Sequence, residues 1–98
     1  ITDGGVKAVG IDGGPAVLDR VSGADPTYPP TVVETMASAE HGGIRLEGDS
    51  DARVGLGDKA WLIPSDVGTC ANLHDYIHTI RDGRLEAVWD IAARGRYR

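Results

Sequence analysis

Side chains able to do chemistry are sparse in this sequence, and their densest run is Pro64-Ser65-Asp66-Val67-Gly68-Thr69-Cys70-Ala71-Asn72. The carboxylate of Asp66 suits a hard divalent ion such as magnesium or manganese. The thiol of Cys70 can join it only if residues 66 to 70 curl into a helical turn, which brings positions i and i+4 together. In an extended run the two side chains stand too far apart to share an ion. Each has a structural reading as well. An Asp after Pro-Ser is often a turn residue or a helix N-cap, and a single cysteine is usually a small buried apolar side chain. His41 falls in a turn and His78 on a strand face, and both read as structural. Lys7 reads as a solvated strand lysine.

Other familiar constellations are missing. No Ser-His-Asp or Cys-His arrangement is suggested by local spacing. Gly10-Ile11-Asp12-Gly13-Gly14 lacks the Gly-x-Gly-x-x-Gly spacing and no helix is expected after it, so it is not a phosphate cradle.

The elements that must position these residues are short. Fourteen glycines and five prolines interrupt the chain, long helical periodicity is absent, and an all-β architecture is favoured. The pattern predicts a strand over Val6 to Ile11, ended by Asp12-Gly13-Gly14-Pro15, then a short apolar piece Ala16-Val17-Leu18. Ser22 to Pro30 reads as a loop, since its prolines remove backbone donors. A β-branched strand covers Thr31 to Ala37, His41-Gly42-Gly43 turns, and Ile44-Arg45-Leu46 alternates as a half-buried strand does. Glu47 to Gly57 is a polar loop, and Lys59 to Ile63 is a strand stopped by Pro64. Tyr76 to Arg81 and Arg84 to Trp89 flank Asp82-Gly83, whose tolerance of positive φ makes a type I′ hairpin turn. About five to seven short strands imply a small Greek-key-like barrel or sandwich. Ala92 to Arg98 is expected to fray unless a partner holds it.

Ninety-eight residues suffice for one domain over residues 1–98. The net charge of −5, from ten basic and fifteen acidic residues, disfavours nucleic-acid binding, which needs a concentrated basic surface. The basic tail Arg94, Arg96 and Arg98 reads as solvated or as a contact with a neighbour. No membrane span or signal peptide is visible. A single cysteine excludes an internal disulfide and fits a reducing cytoplasm. The opening Ile1-Thr2-Asp3 lacks a Met and starts as if inside an element, as expected of a piece of a longer chain or of a processed terminus.

Three segments together carry a family resemblance: Asp3-Gly4-Gly5-Val6-Lys7-Ala8 with Asp12-Gly13-Gly14, then Glu40-His41-Gly42, and finally the long stretch with Gly57-Asp58, Ile63-Pro64-Ser65, Asn72-Leu73-His74-Asp75, Arg81-Asp82-Gly83-Arg84, Val88-Trp89 and Ala92-Ala93-Arg94-Gly95-Arg96. In order and spacing they resemble the C-terminal domain of the D-threonine aldolase and D-serine dehydratase family. The resemblance implies a pyridoxal-phosphate-dependent lyase cleaving or dehydrating D-3-hydroxy amino acids. Its cofactor, with the lysine that carries it, would lie in an N-terminal (β/α)8 barrel absent from this chain. This β-domain would then be no catalyst in isolation. It would wall the active site, usually in a homodimer, and supply a divalent-metal site beside the cofactor. His74 would lie near that active site, and Lys7 with Asp12-Gly13-Gly14 at the junction with the barrel. The family's ligands follow the proline as Pro-x-His-x-Cys or Pro-x-His-x-Asp, with an Asn four residues on. Here Asp66 stands in the histidine's place and Gly68, with no side chain, in that of the second ligand. The departure leaves two rivals open, a metal-independent racemase-like relative and a non-catalytic assembly module. An excised domain would also expose an apolar patch including Trp61 or Trp89.

Overall fold

The computed structural model describes residues 1–23, 31–48 and 54–95. The parts of the two expected loops at residues 24–30 and 49–53, and Arg96 and Arg98, lie outside the described residues. The chain is all-β in kind. Among the described residues six strands form three two-stranded antiparallel sheets, joined by two single-turn helices.

Strand β1 (Val17–Val21) pairs with β4 (Ala60–Ile63), so the intervening hairpin of β2 (Val32–Ala37) and β3 (Gly42–Leu46) is enclosed in sequence between them. β2 and β3 are joined by a Ser38–His41 turn, closed by the Ser38 N–H donating to the His41 carbonyl at 2.8 Å. The strand therefore starts at Gly42, where an internal turn was expected. The reason is that Thr2 exchanges two backbone hydrogen bonds with Gly42, at 2.7 and 3.1 Å, and draws it into a ladder. The third sheet is the predicted hairpin, β5 (Tyr76–Arg81) and β6 (Arg84–Asp90). Asp82 and Gly83 have φ of 50° and 73°, and positive φ at both central positions is what a type I′ turn requires.

Each ladder slips by one residue: between Leu18 and Arg20, between Val32 and Glu34, and on β6 opposite the Thr79–Ile80 step. Such bulges re-aim side chains and increase the local twist. In the last hairpin the slip falls at Glu86, so Ile80 sits opposite Leu85 while Thr79 sits opposite Ala87.

The expected strand over Val6 to Ile11 is instead helix α1 (Val6–Val9). Val-Lys-Ala-Val has strand-like composition, but its first two amides are taken by the turn that later joins β2 and β3: Val6 N–H donates to Ser38 O at 2.8 Å and Lys7 N–H to Ala39 O at 3.1 Å. Satisfying those orphan donors lets so short a helix persist. Residues 92 to 95, expected to fray, are held by the chain itself. Gly95 N–H donates to Asn72 Oδ1 at 2.7 Å, and Arg94, read as a solvated tail cation, pairs with Asp75 at 2.6 Å.

Burial is thin. Among the described residues only Ala16 and Val21, each 8% exposed, are buried hydrophobics. Both tryptophans are exposed, Trp61 at 39% and Trp89 at 61%, as are Ile77, Ile80, Leu85 and Val88 of the hairpin. The Cα radius of gyration is 14.5 Å, above the roughly 13 Å of a compact 100-residue domain. Isolated two-stranded sheets are marginal in water, so the exposed apolar faces are where this fold has most left to bury. No helix among the described residues is long and apolar enough to cross a membrane.

Candidate functional site at the helical corner

The residues singled out for chemistry converge where α1 meets a second short helix, α2 (Val67–Ala71). Pro64 ends β4, and Ser65 anchors the next step by donating its hydroxyl to Pro15 O at 2.9 Å. Asp66 keeps an extended backbone, with φ −129° and ψ 114°, and caps α2: its Oδ1 accepts the Thr69 N–H at 2.8 Å. Thr69 replies through its hydroxyl to Asp66 O at 3.2 Å, and Cys70 N–H donates to the same carbonyl at 3.2 Å. Residues 66 to 70 thus form the helical turn that Asp66 and Cys70 needed to share one side of the chain.

What Cys70 faces is α1. Its Sγ lies 3.7 Å from the carbonyl oxygen of Ala8, and His74 Nε2 lies 2.6 Å from the same atom. A carbonyl only accepts, so Nε2 carries the proton, and a neutral ring keeps its lone pair on Nδ1. One backbone oxygen near the N-terminus thereby gathers two side chains more than sixty positions later in sequence. Burial pushes the Cys70 thiol above its ordinary range, because the thiolate would lose solvation.

α1 is seated by Gly5. A Cβ there would stand 2.4 Å from the Glu40 carbonyl carbon and 2.5 Å from the His41 nitrogen, so only glycine lets the helix approach the Ser38–His41 turn. Lys7 and Glu40 close the same corner as an exposed ion pair. Sequence reading missed this pair, because partners so distant in sequence leave no local pattern. His41 stays in its turn, and His78 sits opposite Val88 on the hairpin, away from the corner. Trp61, by contrast, is engaged at the β1–β4 sheet, where the guanidinium of its cross-strand neighbour Arg20 lies 4.5 Å from the ring centroid. That is within cation–π range.

Asp66 and Cys70 do not by themselves make a divalent-metal site. One carboxylate oxygen is engaged by the cap, the thiol faces the Ala8 carbonyl, and Gly68 offers no side chain. Among the described residues no group of three or more His, Cys, Asp or Glu comes together. Nor do the described residues offer a pyridoxal phosphate cradle: both helices are single turns, and neither follows a glycine-rich phosphate loop.

Comparison with known proteins gives the corner its context. A family model described as "Putative serine dehydratase domain" matches residues 1–80. The chain is 37% identical over 95 residues to a D-threonine aldolase of an Arthrobacter species, covering 97% of this chain and 23% of that protein. It is 33% identical over 96 residues to a 3-hydroxy-D-aspartate aldolase of Paracoccus denitrificans (strain Pd 1222), covering 98% of this chain and 22% of that protein. The chain therefore spans less than a quarter of the length of these curated relatives. No solved structure matches it. With four-fifths of its residues under the family model and near-complete alignment to both aldolases, the chain belongs to the serine dehydratase domain family that the model describes.

Proposed function

We propose that this chain is the β-domain of a pyridoxal-phosphate-dependent lyase that cleaves or dehydrates D-3-hydroxy amino acids. In this reading the cofactor is bound by an N-terminal barrel, and the β-domain closes one wall of the pocket in a cytoplasmic homodimer. The observation that carries it is the uncovered apolar surface. Ile77 and Trp89 on one face of the hairpin, and Ile80, Leu85 and Val88 on the other, are all exposed. The relatives place more than three-quarters of their length elsewhere. Apolar surface of this extent marks a contact with another body.

The cofactor would supply an electron sink for the bond broken at the substrate's α-carbon. This chain's own residues supply shape. The Ala8 carbonyl, fixed by Cys70 and His74, holds the α1–α2 corner rigid, and the hairpin excludes water over whatever it covers. No step is routed through a metal. The missing donor at Gly68 favours a metal-independent relative over a strictly metal-dependent aldolase.

The test is the full-length enzyme offered D-threonine, 3-hydroxy-D-aspartate and D-serine. Glycine with an aldehyde marks aldol cleavage, and ammonia with an oxo acid marks dehydration. Absence of all these products from all three substrates overturns the proposal.

A further inference from the structure

The run that occupies the family's metal positions is folded for a different purpose. A chelate from residues i and i+2 needs an extended segment, whose alternate side chains share a face. Here Asp66 is extended but residues 67 to 71 are helical, so the run is not the continuous extended segment such a chelate needs. The second position is Gly68, so no group stands there. At the first position the Asp66 carboxylate is folded back onto its own helix, accepting the Thr69 N–H at 2.8 Å. The remaining donor nearby, Cys70, faces a backbone carbonyl at 3.7 Å, beside His74 at 2.6 Å from the same oxygen.

We propose that residues 66 to 70 are a bracket that fastens α2 to α1 and contribute no ligand to any divalent ion in the assembled enzyme. The inference rests on reading the chain as part of a D-hydroxy amino acid lyase. It goes further by assigning any ion that meets the substrate's hydroxyl to ligands other than residues 66 to 70. A capping aspartate keeps its carboxylate near the helix N-terminus whether or not metal is present, because the free amides there favour it.

The experiment uses full-length protein incubated with manganese(II) or zinc(II), desalted, and measured for metal per chain by mass spectrometry. Asp66→Ser keeps a hydroxyl cap while deleting the carboxylate, and Cys70→Ala deletes the thiol. The expected result is metal content unchanged from wild type in both variants, with thermal midpoints close to wild type for Asp66→Ser and lower for Asp66→Ala. Wild type holding no ion, or holding one that both variants retain, sustains the bracket. Loss of about one ion per chain in Asp66→Ser or Cys70→Ala, with the fold and visible cofactor absorbance intact, overturns it. Failure of the lyase reading shows separately, as absent cofactor absorbance or absent product, while the metal count still decides the bracket.

Discussion

Gly5→Ala isolates the seat of α1 from every other effect. Gly5 has φ −81° and ψ −172°, a conformation open to any residue, so the substitution carries no backbone strain of its own. Its Cβ, however, would meet backbone atoms of Ala39, Glu40 and His41 at 2.4 to 2.7 Å. Backbone of a closed turn cannot swing aside as a flexible side chain does. Relief requires α1 to lift away, losing the Val6–Ser38 and Lys7–Ala39 hydrogen bonds, worth about 1 kcal/mol each. With the overpacking cost of about 1–3 kcal/mol, the expected loss is about 3–5 kcal/mol. In an isolated domain near 100 residues that lowers the thermal midpoint by about 12–40 °C, at about 4–8 °C per kcal/mol. The control is Gly55→Ala, whose Cβ would find nothing nearer than Asp58 Oδ2 at 3.9 Å, and which is neutral or slightly stabilising through the unfolded chain. The assay is thermal unfolding of the full-length protein, with amide exchange at Val6 and Lys7. Exchange rises in Gly5→Ala alone, and turnover falls with it because the Ala8 carbonyl no longer meets Cys70 and His74. A full-length Gly5→Ala protein melting no lower than Gly55→Ala refutes the reasoning.

Trp89→Ala separates the domain alone from the domain covered. At 61% exposure, of an indole residue near 250 Å², about 150 Å² remains to be buried, worth about 4 kcal/mol at 25 cal/mol/Å². Truncation should cost that in the full-length enzyme and under 1 kcal/mol in the 98-residue chain, and the tryptophan emission of the full-length enzyme should lie to the blue of the isolated chain. Equal costs in both settings would sink the idea that the hairpin is covered. Cys70 makes a pH prediction. Burial raises its folded pKa above the unfolded value, so the neutral thiol's contribution is present at low and neutral pH and is lost as pH rises through the thiol range. Cys70→Ala should flatten the alkaline decline in melting temperature, and an unchanged decline would remove Cys70 as its source.

Much of this architecture was legible because it is local. Asp82-Gly83 between alternating arms dictates its hairpin, and Pro64 stops β4 where it should. The slip at Glu86 was not legible, since alternation assigns Leu85 to the face of Ala87 and Trp89 until a bulge turns it toward Ile80. The helix at Val6–Val9 was misread because its choice is made by Ser38 and Ala39 carbonyls from a later turn. At the corner the residue types were visible, and the helical turn over 66 to 70 was one of the two conformations that spacing allowed. What no spacing could reveal was that Cys70 and His74 meet at Ala8 O, an acceptor without any side-chain signature.

The pairing of β1 with β4 has a consequence for the order of assembly. The two hairpins close through short turns and can form within microseconds, whereas Val21 and Ala60 meet across about 40 residues of chain, a slower search with a larger entropy cost. Prior formation of β2–β3 inside that span shortens the effective loop. The β1–β4 ladder is then the late step, and amide protection should reach Arg20 and Trp61 only after the hairpins have acquired theirs. A nascent chain would carry a finished central hairpin while Val17–Val21 still waits for the strand that completes it.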